Sequence, residues 1–90
     1  MSNPAQGNFS KCKVCGLGDI EGEFSICDYC AWEDDDVQNK DPDFEGGANQ
    51  MSLNQYKQFW EENKEKIMNE ETRIEKAIEL SILYYNEHFK

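Results

Sequence analysis

The sequence predicts a small α+β protein: a knuckle-like β-hairpin carrying four thiols, then an acidic loop, then one or two C-terminal α-helices. Three features lead there. All four cysteines fall in two C-x-x-C pairs, Cys12/Cys15 and Cys27/Cys30, with eleven residues between the pairs. The stretch 33–50, EDDDVQNKDPDFEGGANQ, carries neither a helical nor a strand period. From Ser52 onward the chain has no Gly or Pro and is rich in helix formers.

Three regions follow: a flexible tail over 1–9, a thiol-rich segment with its acidic loop over 10–50, and a helical segment over 51–90. In the second, Val14, Ile20, Phe24 and Ile26 lie between glycines, and Phe24 and Ile26 alternate as in a strand. The spacing between the cysteine pairs fits a hairpin that carries one pair to the other. The loop after it is long for so small a domain, which predicts pinning by apolar anchors such as Val37 and Phe44.

Ser52 is the expected helix N-cap, with Gln55 three places on as its capping-box partner. Leu53, Tyr56, Phe59 and Trp60 then form one apolar face. A second stripe, Ile74, Ile78, Ile82, Tyr85 and Phe89, recurs at steps of four and three and is widened by Leu80 and Leu83. The polar segment between the stripes is compatible with one long helix or with two. Tyr84, Tyr85 and Phe89 are expected in the core.

Ninety residues make a single domain whose apolar burial leaves little stability to spare, so a staple is expected. The formal charge is −10, and the first fifty residues hold eleven acids against three bases. Such a field repels phosphate backbones and anionic lipid, and attracts cations and basic proteins. No apolar run is long enough to cross a bilayer, and the opening MSNPAQGNFS lacks the features of an export signal. A cytoplasmic location is the expectation, where paired thiols serve metals more often than disulfides.

Two residues between thiolates let one tight turn aim both sulfurs at one ion, and Gly16 after Cys15 can take the positive φ such a turn needs. Cys12, Cys15, Cys27 and Cys30 together supply a closed tetrahedral site, which suits one structural Zn2+ in a zinc-ribbon or knuckle setting. Iron in a rubredoxin-like site is the alternative, and four ordinary buried thiols are the bland one. Calcium in the acidic loop fits poorly: counted from Asn39, the EF-hand glycine and glutamate positions hold Phe44 and Gln50.

Trp32, next to Cys30, is expected to pack over the knuckle and to fix the start of the loop. Trp32, Glu33, Asp34, Asp35, Asp36, Asp41, Asp43 and Glu45 then form a candidate surface for a basic partner, against the plain reading of a solvated loop. His88 is the only histidine and reads as a cation at a helix C-terminus. No nucleophile, base or phosphate loop stands at a recognisable spacing, so the expectation is a binder and not an enzyme.

The segments CKVCG and ICDYCAWEDDDVQNKDPDFEGGANQMSLNQ resemble the cysteine-rich CPCC family of small bacterial proteins. That family runs from a C-P-C-C-G knuckle through C-x-x-C-x-W-E-D-D to G-G-A-N and S-L. Here Lys13 and Val14 replace the proline and the middle cysteine, which leaves a four-sulfur set. The resemblance covers about residues 11–60 and implies a bacterial, cytosolic, metal-binding module. It also singles out Trp32, Glu33, Asp34, Asp35, Gly46, Gly47, Ala48, Asn49, Ser52 and Leu53. Locally, Gly46 and Gly47 turn the chain, and Asn49 can bond backbone where the loop returns to the cap.

The expected function is a zinc-binding protein–protein interaction module, specifically an acidic immunity or antitoxin-type inhibitor that covers the basic site of a toxin such as a nuclease. A zinc-ribbon nucleic-acid regulator is the second expectation, although only Lys11 and Lys13 flank the first knuckle. An iron-based electron carrier is the third.

Overall fold

A computed structural model describes residues 10–22 and 24–90. The expectation of an N-terminal tail over 1–9 lies outside the described residues. Five short elements follow in order: β1 (Ser10–Lys11), β2 (Asp19–Ile20), α1 (Asp36–Lys40), α2 (Leu53–Met68) and α3 (Arg73–His88). The architecture is α+β, as the sequence predicts.

β1 and β2 pair antiparallel, Ser10 opposite Ile20 and Lys11 opposite Asp19. This hairpin therefore encloses the first cysteine pair, whereas the spacing had suggested a hairpin joining the two pairs. The second pair is enclosed in the same way by an antiparallel bridge between Ile26 and Glu33. Phe24 takes a left-handed φ of 61° and stands exposed, so the alternation with Ile26 does not mark a strand.

The acidic stretch is not all loop. Asp35 accepts from the amides of Val37 and Gln38 and so caps α1, one turn of helix that sequence periodicity is too short to reveal. The expected anchors, Val37 and Phe44, are both exposed. The loop is instead pinned from inside by polar groups: Asp35, Gln38 and Asn49 are buried. The Gln38 side-chain amide donates to the carbonyls of Phe44, Asn49 and Met51 at 3.0, 3.0 and 3.1 Å. Gly47 permits this closeness, because a Cβ there would lie 2.6 Å from Asp35 Oδ2 and 2.9 Å from Gln38.

Ser52 and Gln55 form the complete capping box that starts α2. The helical segment is two helices, with the break at Asn69–Thr72, and α3 runs back beside α2. Leu53, Tyr56, Phe59 and Trp60 are buried as expected, joined by Ile67.

The expected stripe of α3 is only partly used. Ala77 and Tyr84 are buried, while Ile74, Leu80, Tyr85 and Phe89 pack at the edge of the core. Ile78, Ile82 and Leu83 remain 44, 56 and 54 % exposed. α3 is apolar on more than one side, and the face that wins is the one where small Ala77 sits flush and where the Tyr84 hydroxyl can bond Glu62 and Gln58 of α2.

An edge-to-face aromatic series ties the two halves together, with ring centroids 5.2 Å apart for Trp32–Tyr56, 5.1 Å for Tyr56–Phe59 and 5.5 Å for Phe59–Tyr84. It begins two residues after a cysteine pair, so the thiol cluster and the helices share one core.

Candidate metal centre

Each cysteine pair sits in a turn of the same design. The amide of Gly16 donates to the Cys12 carbonyl, and that of Ala31 to the Cys27 carbonyl, both at 3.0 Å. The residue after each second cysteine is left-handed, Gly16 at φ 72° and Ala31 at φ 69°. Gly16 meets the expectation for it. Ala31 holds the same conformation with a side chain, at a cost that glycine would not carry.

The two turns bring all four Sγ atoms within 4.8 Å of one another. Cys12 and Cys30 lie 3.5 Å apart, as do Cys15 and Cys27, each pair joining one turn to the other. A tetrahedral ion with metal–sulfur bonds of about 2.3 Å sets neighbouring sulfurs about 3.8 Å apart. The observed spacing fits that geometry, and the four cysteines are free.

Backbone donors support the sulfurs from outside. The amides of Val14, Leu17 and Tyr29 point at Cys12, Cys15 and Cys27 at 3.4, 3.4 and 3.3 Å. Such outer bonds orient a thiolate and stabilise its charge. Cys15 is held low by its sulfur neighbours, Cys12 first and then Cys27 and Cys30. The Cys30 thiol is pushed up by its bond to Cys12 and by its other sulfur neighbours. A cluster of this kind shares its protons unevenly, and a bound cation is what lets all four sulfurs ionise.

Three further residues serve the centre. Tyr56, from α2, donates its hydroxyl to the Cys30 carbonyl at 2.6 Å, and burial pushes its pKa up, so it remains a donor. Arg73, at the start of α3, bonds the Asp28 carbonyl at 3.1 Å and lies 4.7 Å over the Tyr29 ring. Gly18 lies against the cluster: a Cβ there would be 2.6 Å from Cys27 Sγ. Gly18→Ala is therefore expected to displace that sulfur and to weaken metal affinity by about tenfold or more, as loss of ligand support does. Competition with a chromophoric chelator measures it, with Gly22→Ala, at a position where a Cβ meets nothing, as the control.

The candidate acidic surface divides in two. Trp32 is fully buried, its indole N–H bonding Asn39 Oδ1 at 3.3 Å, and Asp35 is buried beneath the loop. Neither can meet a partner, which corrects their inclusion in the surface: both are internal supports. Glu33 and Asp34 are half-buried, and Asp36, Asp41, Asp43 and Glu45 are exposed.

Asp35 accepts from Ala48 at 2.9 Å and from Val37 at 2.8 Å. The Ala48 amide foremost, with those of Val37 and Gln38, holds its carboxyl below the usual range. Its stabilising contribution is thus complete above the unfolded value of about 3.9 and is lost as pH falls through the lower folded value. Asp35→Asn should melt below the wild type at neutral pH, and the gap should narrow under acid.

Fold and site together define the class: a small α+β module built round a tetracysteine cluster able to hold a metal ion. A model of the family described as Cysteine-rich CPCC matches residues 10–79. The chain belongs to this cysteine-rich CPCC family, as its motifs suggested, although the match runs further into the helical segment than the resemblance did. A search of curated proteins found no match.

Sequence reasoning found the four sulfurs and Gly16, and placed Tyr56 on the apolar face of the first helix without its bond to Cys30, but missed Gly18, Gln38 and Ala31. Gly18 carried a signal, a second glycine two residues after the first. Gln38 and Ala31 carried none, since an isolated Gln or Ala is unremarkable until its neighbours are known. Among the described residues, no helix is long and apolar enough to cross a membrane.

Proposed function

We propose that the chain is a non-catalytic, zinc-stapled binding module that presents fixed negative charge to a basic protein. Four thiolates of borderline softness favour zinc, and with all four positions held by protein no coordination site remains for a substrate. The ion's contribution is to lock the two turns.

The observation that carries the binding role is how the surface carboxylates are held. Asp34 accepts from Asn39 at 2.8 Å, Asp43 from Asn54 at 3.0 Å, and Glu45 from Gln55 at 2.8 Å and Tyr85 at 3.1 Å. Every donor is neutral, and none of the three acids has an ion pair among the described residues. Neutral donors fix a carboxylate without cancelling its charge, which lowers the ordering cost of binding a cationic partner. Lys11, by contrast, is paired with Asp19 at 2.7 Å, which weakens the case for nucleic acid.

Within this role, the partner class we propose is a basic toxin, such as a nuclease whose phosphate-binding site the carboxylates would occupy, with the chain acting as its antidote. Affinity capture from the native host, followed by titration of the captured protein, tests it. The expected result is a basic partner whose affinity falls with salt and drops about tenfold or more in the Asp34→Asn/Asp43→Asn/Glu45→Gln variant, which keeps the shapes and removes the charge. A chain that elutes alone, or a variant that binds equally well, overturns the proposal.

A further inference from the structure

An apolar groove lies between the second cysteine turn and α3. Its walls include Ile26, Met51, Tyr56, Ile78 and Ile82, and Glu33 lies among them. Ile26, Ile78 and Ile82 are 48, 44 and 56 % exposed, so three β-branched side chains from two separate parts of the chain converge with no cover among the described residues. Its volume of about 250 Å³ is below the ~300–1,000 Å³ of sites for small organic ligands, and matches one or two inserted side chains.

Charge indicates the occupant. Among the described residues, no Lys or Arg lines the groove. Glu33 lies in its wall, and Glu45 is bonded to Tyr85, the residue one turn beyond Ile82 on α3. Glu75 and Glu79 flank Ile78 and Ile82 by helical spacing, Glu79 being paired with Lys76 at 3.9 Å and Glu75 having no ion pair among the described residues. A second copy of this chain, itself carrying −10, would bring like charges together at this rim.

We infer that the groove receives a large apolar side chain, Leu or aromatic, from a partner segment in which Lys or Arg flank that anchor. The inference rests on the proposed acidic binding role and locates the docking point for it. The apolar contact supplies affinity at the centre, and the glutamates at the rim select for cationic flanks.

Two labelled synthetic peptides of equal positive charge test it on the full chain. One carries Leu and Phe between its lysines, and the other carries Ser at those positions. The anchored peptide is expected to bind about tenfold tighter or better, to shift the methyl resonances of Ile26, Ile78 and Ile82, and to lose its advantage in the Ile78→Ser/Ile82→Ser variant. Both residues are exposed, so an unchanged melting curve should confirm that the variant folds. Equal binding of the two peptides, unaffected by that variant but weakened by Asp34→Asn/Asp43→Asn/Glu45→Gln, overturns the groove and leaves the acidic role standing. Binding of neither peptide overturns both. A dimer in sedimentation that Ile78→Ser/Ile82→Ser dissociates assigns the groove to a second copy and also overturns the inference.

Discussion

Chelating the metal is expected to unfold residues 10–50 and to release about one zinc per chain. Among the described residues of that half the regular structure is two two-residue strands and a five-residue helix, too little backbone pairing to stand alone. Cys12, Cys27 and Cys30 are themselves core residues, packed with Trp32 and Tyr56. Without an ion, the sulfurs offer each other only weak hydrogen bonds at 3.5 Å. Structural zinc contributes an apparent 10–16 kcal/mol or so in zinc-finger peptides, as much as the roughly 5–15 kcal/mol net stability of a whole domain.

Cys27→Ser should have the same effect, because one hard oxygen in place of sulfur weakens the site and its neighbours leave no room for rearrangement. Elemental analysis, circular dichroism and amide spectra before and after chelation check the result. A metal-free chain with dispersed amide resonances from residues 10–50 would refute it. Cobalt substitution reads the ligands directly, since four thiolates give a tetrahedral sulfur spectrum, and a colourless native protein separates zinc from iron.

Gln38→Ala is expected to lower the melting temperature by about 12 °C or more. Gln38 is fully buried and uses both ends of its amide. The two N–H donors of its NH2 group are shared among three carbonyls, and its oxygen accepts from the Asn49 backbone amide at 3.1 Å and the Asn49 side chain at 2.9 Å. Truncation strands several of these groups where water cannot reach them easily, at about 1–3 kcal/mol for each left unsatisfied, so a total above about 3 kcal/mol is expected. Asn49 also mimics a strand partner, accepting from the Glu33 amide at 2.9 Å and donating to the Glu33 carbonyl at 2.8 Å. The damage should therefore spread from the loop to the second cysteine turn, and thermal melts of the metal-loaded protein compare it with an exposed control, Asn54→Ala. A shift no larger than the control's would show that the polar core is dispensable.

These two effects meet in the binding role. In the proposed role a bound ion would fix one end of the acidic stretch while the Gln38–Asn49 network fixes the middle, so that Asp34, Asp43 and Glu45 would be displayed from a frame with few internal freedoms. A loop pinned by exposed Val37 and Phe44 would have left the same charges mobile, with more order to lose on binding.

What the sequence by itself determined is the part written in local spacing. Two C-x-x-C turns, a glycine at a left-handed position and a Ser–Gln capping box are each decided within four or five residues, and each is present in the structure. The thiol cluster, the α+β class and the first apolar face of the helical segment were legible for that reason. What only the tertiary structure decided is everything that depends on distant partners. The face of α3 that turns inward was set by Ala77 and Tyr84 meeting α2, and the isoleucine stripe, equally periodic, was left outside. The acidic run was divided by burial into internal supports and displayed charge, because Asp35 reached the Ala48 amide thirteen residues away while Asp43 and Glu45 met only neutral surface donors. Hydrogen-bond satisfaction and close packing act between residues far apart in the chain, and spacing along the chain does not encode them.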